Sequence, residues 1–358
     1  MAAIVRRHIV YCFAVLAFAA PALAPRLALS AISFPDPLPL TPLEARMLVD
    51  AADGGFRQFS LIDAALVASG VNREPALDEY RQKYAAWSAE ARSVVDRETA
   101  PLDRARALFQ FVHREILTRG YDSQATELTC PLADGNFNCA SATVLFAALA
   151  GDCGLTVHPI ERPRHAMCWL TIGDERFDIE TTCPNWFDLT PAMRQQVERA
   201  ALARDAAADR PAARREIGPA ALVAVIYYNR GVDLLNEKRF AEAVSVNVRA
   251  LRLDPENETA AGNLLASINN WALDLDADGR FGDAIALLNS GLAAAPDHEP
   301  FHTNLRHVYR TWIQALATAG RQHEALAVLA EARAADPDSP IWNLWAVRLS
   351  RQASGVAE

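Results

Sequence analysis

The sequence predicts a chain in two folded parts: an α+β domain entered through a helical lead-in, then an all-α repeat solenoid. Three observations predict this. Helical patterning over roughly 41–118 is followed by an apolar helix that starts at Cys139 and closes at Gly151. Strand-length apolar or alternating segments then occupy 155–161, 166–172 and 176–181, with turn residues Pro163 and Gly173-Asp174 between them. From about Pro219 onward, residues recur at a period of 41: Ala243, Ala284 and Ala325; Ala250, Gly291 and Ala332; Pro255, Pro296 and Pro337; with Arg239, Arg280 and Arg321 in register.

The lead-in begins at Thr41-Pro42-Leu43-Glu44, an N-cap followed by proline at the first helical position and glutamate at the third. Further helices are expected at 59–69, 76–95 and 101–117, the last carrying Leu108, Phe111, Val112 and Ile116 on one face. The stretch 121–138, with Pro131 and Gly135, reads as a loop. Residues 188–218 contain a helix start at Thr190-Pro191 and then an Ala/Arg/Asp stretch over 201–216 without an apolar stripe, the composition of a linker helix or connector. The resulting division is 1–30 signal peptide, 31–187 α+β domain, 188–218 linker, 219–338 repeats, and 339–358 capping helix and tail. In the cap, Ile341, Leu344, Trp345 and Leu349 are expected to cover the last repeat.

At 358 residues the chain can bury two cores, and 51% hydrophobic with 22% charged residues excludes wholesale disorder. The first thirty residues have the layout of a secretory signal. Arg6 and Arg7 precede an apolar stretch from Ile9 to Ala24, and small residues follow. That stretch is interrupted by Pro21 and falls short of the roughly 20 residues a helix needs to span a bilayer, so an uncleaved anchor is the alternative. Cleavage after Ser30 avoids leaving Pro25 at the new terminus. The body of the protein is thus expected outside the cytoplasm, periplasmic or secreted, with no membrane contact beyond the export signal. Removing Arg6, Arg7 and Arg26 takes the formal charge from −9 to −12. An acidic chain without a basic run has no electrostatic footprint for nucleic acid.

The chemistry concentrates in one stretch. Cys139 opens the apolar helix, where unsatisfied N–H groups and the helix dipole favour a thiolate over a thiol. His165 follows at the start of a strand, and Asp178 and Glu180 lie on the next strand. A nucleophile at a helix end, with its base and an orienting acid on neighbouring strands, is what amide or ester acyl transfer requires. Asn138 either caps the helix or helps hold the oxyanion. Ser141 and Thr143 read as helix packing positions. Each residue also has a plainer reading: Cys139 as a buried structural cysteine, His165 as a hydrogen-bonded core histidine, Asp178 as a surface acid. Five cysteines lie beyond the signal, all between 130 and 183. An odd count in an oxidising compartment leaves at least one unpaired; Cys130, Cys153, Cys168 and Cys183 are expected to form up to two disulfides, while a zinc site with His158 lacks the close Cys-x-x-Cys pair that would support it.

In these motifs, Asn138-Cys139, His165-Ala166 and Glu180-Thr181-Thr182, the sequence resembles the transglutaminase-like superfamily, in particular its bacterial branch that carries tetratricopeptide repeats. Leu61-Ile62-Asp63-Ala64-Ala65-Leu66 and Leu77-Asp78-Glu79-Tyr80 resemble that branch's helical lead-in. The resemblance covers roughly 55–185 and implies an α+β papain/transglutaminase-like core with Cys139, His165 and Glu180 as the catalytic set. The family's third residue is usually aspartate before proline-threonine; Glu180 fills that slot here, and Asp178 is the alternative. Members include cysteine proteases, cross-linking enzymes and silent copies. The implied function is an exported cysteine-dependent acyl-transfer enzyme acting on a peptide or protein, with no cofactor or metal. The alternative is a silent domain in an extracytoplasmic scaffold.

Gly231, Ala243, Ala250 and Pro255 match the tetratricopeptide pattern of small residues where paired helices cross, so an all-α tetratricopeptide solenoid is expected. The period of 41 exceeds the usual 34 residues by two helical turns, which places an extra heptad in the first helix of units two and three. Tyr228, Asn269 and Arg310 share the 41-residue spacing at the position that faces the concave groove in such repeats. They are candidates for binding a peptide or protein partner, or else ordinary exposed helix surface.

Overall fold

A computed structural model describes residues 34–162, 165–203 and 214–353. The expected signal peptide over 1–30, the turn residue Pro163 and residues 204–213 of the connector lie outside these. Within them the chain is mixed α+β, with a four-stranded sheet, a separate two-stranded one and a C-terminal stack of helices. No described helix is long and apolar enough to cross a membrane.

The lead-in is α1 (Pro42–Asp50), α2 (Leu61–Ala68), α3 (Glu74–Val95) and α4 (Pro101–Phe111). Their starts follow from the side chains present. Thr41 caps α1 with Glu44 reaching back, and Ser60 and Asp63 form the same reciprocal box on α2. α4 runs on into a π-helical turn, Val112–Ile116. Next come β1 (Gly120–Tyr121), α5 (Thr129–Ala133) and β2 (Asn136–Phe137). β1 and β2 pair in parallel, so the segment read as a loop is tied down just before α6 (Cys139–Asp152).

Three strands follow, β3 (Val157–Arg162), β4 (His165–Ile172) and β5 (Glu175–Ile179), all antiparallel. The connector then holds α7 (Pro191–Ala203) and β6 (Arg215–Glu216). β6 adds to the open side of β3 and completes the order β5-β4-β3-β6. Composition pointed to linker here, yet its far end is part of the sheet. α6 packs on β4 and β3.

The stack comprises α8 (Pro219–Asn236), α9 (Phe240–Leu253), α10 (Glu258–Ala277), α11 (Phe281–Ala294), α12 (Glu299–Thr318), α13 (Gln322–Ala335) and α14 (Ile341–Ala353). The period of 41 is visible as α9, α11 and α13, each 14 residues and each starting one residue after Arg239, Arg280 or Arg321. Those arginines pair with Glu242, Asp283 and Glu324 three residues on, exposed pairs worth little individually. The longer helices α10 and α12 have 20 residues, and α8 has 18, so extra length is not confined to units two and three. Small residues sit where helices cross: a Cβ on Gly231 would come within 2.5 Å of Asn247, and one on Gly291 within 2.6 Å of Phe301. On α14 the buried set is Trp342, Trp345 and Leu349; Leu344 is 71% exposed, because spacing of three and four residues from Trp342 turns it outward.

The stack is not a separate body. α8 packs on α2 and α6, and its Leu222, Val223, Ile226 and Tyr227 join one hydrophobic core that runs from the lead-in to α14. Polar ties reinforce this. Arg249 of α9 donates to Glu44 at 2.7 Å and to Asp36 at 3.0 Å, all three mostly buried.

The turns that end α8, α10 and α12 each place one residue in left-handed backbone: Lys238 (φ 60°), Gly279 (φ 74°) and Gly320 (φ 72°). Lysine pays a steric penalty there that glycine avoids. Lys238→Gly is therefore expected to raise stability by about 1 kcal/mol, read as a higher urea midpoint at unchanged slope.

Candidate active site

Cys139 occupies the first position of α6 because Asn138 ends the extended chain there. The Asn138 Oδ1 accepts from the backbone N–H of Ala140 (2.9 Å) and Ser141 (3.2 Å), and the Ser141 hydroxyl accepts the Asn138 N–H at 3.0 Å. The Asn138 amide nitrogen donates to Thr126 Oγ1 at 2.7 Å and to the Ser123 carbonyl at 3.3 Å. Both ends of its amide are committed to folding the helix start, which removes it as an oxyanion donor. Ser141 is likewise a structural clasp, donating to the Ala125 carbonyl at 2.7 Å.

His165 opens β4, and its Nε2 meets Glu180 Oε2 at 2.6 Å. Glu180, 3% exposed, follows directly on β5; its Oε1 accepts from the Thr182 N–H at 3.1 Å and the Thr182 hydroxyl at 2.6 Å. Cys139 lies close enough to the same histidine to act on its charge. Burial disfavours the charged ring, but the influence of Cys139 and the bond with Glu180 outweigh it and raise His165 to about 10. On Glu180 burial acts upward, and the His165 and Thr182 bonds prevail and lower it. The structure thus brings Cys139, His165 and Glu180 together. Asp178 stands apart: its carboxylate accepts from Arg214 at 2.7 Å, and its carbonyl accepts the Trp186 indole N–H at 2.6 Å.

Behind the three lies a layer that sequence reading missed. Thr143 of α6 and Thr181 share a buried hydroxyl–hydroxyl bond at 2.9 Å, which sets the residue after Glu180 against the helix of Cys139. His113, in the π-helical turn, places Nε2 3.1 Å from the Thr181 carbonyl, while its Nδ1 is buried with no hydrogen-bond partner among the described residues. Burial lowers His113 to about 4 despite the carbonyl bond. The extra residue of a π-turn, which no sequence pattern flagged, aims this ring inward.

The remaining cysteines correct the expectation of disulfides. Cys130, Cys153, Cys168 and Cys183 are free thiols and form no disulfide. They occupy separate settings: α5, the end of α6, mid-β4 and the turn after β5. Burial pushes all four up, Cys153 to about 11 and Cys168 further, with Glu180's charge adding to the effect on Cys168. No group of three or more His, Cys, Asp or Glu among the described residues is placed to hold a metal ion. His158 instead pairs with Glu216 at 2.6 Å.

The groove candidates also separate. Tyr228 is not exposed surface; it is 3% exposed, and its hydroxyl donates to Glu161 at 2.8 Å, because this face of α8 meets the sheet domain. Asn269 is half-buried and accepts from Asn304. Arg310 is exposed and lines a cavity with Thr311, Gln314, Trp345 and Arg348 between α12 and α14. A second cavity, of about 150 Å³, lies among α1, α2, α8 and α9. Neither is lined by Cys139, His165 or Glu180.

Compared with known proteins, the chain matches no family model and no curated protein.

The two histidines give opposite pH signatures. His113, lowered to about 4 from an ordinary 6.5, stays neutral in the fold while the unfolded chain takes up a proton, so its contribution is present above pH 6.5 and lost as pH falls toward 4. His165, raised to about 10, contributes fully below 6.5 and loses its contribution as pH rises toward 10. Between pH 7 and 4.5, wild type is expected to lose stability relative to His113→Phe by on the order of 3 kcal/mol at most, measured by urea unfolding at each pH.

Proposed function

We propose that this protein is an exported cysteine-dependent acyl-transfer enzyme acting on amide bonds of a peptide or protein. It is built on a transglutaminase-like, papain-type core joined to a tetratricopeptide-type stack. One observation carries the reading: a single imidazole is hydrogen-bonded to a buried carboxylate and lies within electrostatic reach of the thiol at the start of α6. With Nε2 committed to Glu180, Nδ1 is the nitrogen left for the sulfur. Glu180 fixes tautomer and ring orientation and stabilises the charged ring.

The chemistry follows from these roles. The Cys139 sulfur attacks the amide carbonyl as its proton rests on His165, and the carbonyl π pair becomes an oxyanion. Backbone N–H groups of the first turn of a helix lack partners within the helix, and at the α6 start Asn138 occupies those of Ala140 and Ser141. The Cys139 N–H is the donor left to meet the oxyanion. Collapse breaks the C–N bond, His165 hands its proton to the departing amine, and a thioester remains. Water, or an amine acceptor, then attacks the thioester with His165 as base, and the thiol is released.

A second reading, a catalytically silent scaffold, is favoured by the burial of Cys139, which is 8% exposed. One measurement separates the two. For an enzyme, iodoacetamide should label Cys139 nearly as fast at pH 6 as at pH 9. His165→Ala should cut the pH 6 rate by about tenfold or more while sparing pH 9, and Glu180→Gln should do the same to a lesser degree. Labelling that follows ordinary thiol behaviour and ignores His165→Ala rejects the enzyme.

A further inference from the structure

We infer that Glu161 is a positioning residue for His165, and that the helical stack supplies the donors that hold it. The inference rests on the enzyme reading above. Glu161 lies near the end of β3, where its cross-strand partner is Ala166; the next pair in the register is Arg162 with His165. This hairpin end carries the base, yet its Ile160, Met167 and Trp169 form a small cluster apart from the main hydrophobic core. Something besides apolar packing must hold it to the tolerance that proton transfer needs, about 0.5 Å.

Glu161 supplies that hold. Glu161 is 8% exposed, and a buried carboxylate persists only when its oxygens are met. Oε1 accepts from the Tyr228 hydroxyl of α8 at 2.8 Å and from the Asn257 amide at the start of α10 at 2.9 Å. Oε2 accepts from Arg215 Nε of β6 at 3.0 Å. The network closes on Asp254, which accepts from Arg215 Nη1 at 3.0 Å and from Asn257 at 3.0 Å. Among the described residues, every donor to the Glu161 carboxylate therefore comes from beyond residue 214, while the carboxylate belongs to the hairpin of His165. Burial and the neighbouring Glu161 push the Tyr228 hydroxyl upward, so it stays a donor to that carboxylate. The stack is then a brace of the site through Glu161, and not only a surface for a partner.

The test uses the full-length chain carrying Tyr228→Phe and Asn257→Ser together. Both donors to Oε1 are lost, while the phenyl ring keeps its packing and serine keeps an oxygen to cap the Ala260 N–H that Asn257 Oδ1 now meets at 2.8 Å. Iodoacetamide labelling of Cys139 is followed across pH, alongside thermal melting. The expected result is a pH 6 rate lowered by about tenfold with the pH 9 rate unchanged, and no further loss when the pair is made in a His165→Ala background. A pH profile superimposable on wild type overturns the inference, as does equal slowing in the His165→Ala background, which would mark general loosening. If the double variant loses its melting transition, Tyr228→Phe alone should move the profile in the same direction by a smaller factor, and an unmoved profile there overturns the inference equally. Failure of the enzyme reading is told apart because it appears in wild type against His165→Ala, before any network residue is changed.

Discussion

The arrangement turns on a buried carboxylate that must be neutralised in place. Glu180 sits almost wholly out of water, and an ion there would cost several kcal/mol without partners. Its two oxygens are met by three partners, His165 and both the N–H and hydroxyl of Thr182, so the charge survives burial and pulls a positive ring toward it. Satisfying that group dictates where β5 ends, how Thr181 faces Thr143, and which way the imidazole points. The helix bearing the thiol is clamped to the same turn through the threonine pair. The chemistry and the packing of this corner therefore share one set of contacts.

Much of this was legible in the residues themselves. An asparagine before an apolar run announces a helix start, so the position of Cys139 could be read, and the capping box confirms why the helix begins there. Strand alternation put Asp178 and Glu180 on one face, and register separated them: Asp178 lies beside Trp169 within the sheet, while Glu180 falls just past the last paired residue, free to reach the ring. The 41-residue recurrence reappears in the stack as three helices of equal length, each starting one residue after its recurring arginine.

What escaped had a common cause. Periodicity tells which side of a helix is apolar but not what lies against its polar side. Tyr228 therefore read as groove surface when its neighbour is a sheet, and a two-residue strand in an alanine-arginine stretch carries no pattern at all. His113 needed a π-turn to aim it, a backbone irregularity that leaves no trace in residue spacing. The cysteine count invited pairing by arithmetic, whereas the fold disperses the four thiols among unlike settings.

The late strand β6 has a consequence for how such a protein can be divided. A chain cut ahead of Pro219 would leave α2 and α6 without the helix that covers them, and a cut ahead of Arg215 would also bare the outer rim of β3. An uncovered rim of that kind invites pairing with another molecule. Recombining the two halves with foreign counterparts would thus fail at the seam, and grafting would have to carry residues 215–257 along with the sheet as one inherited block.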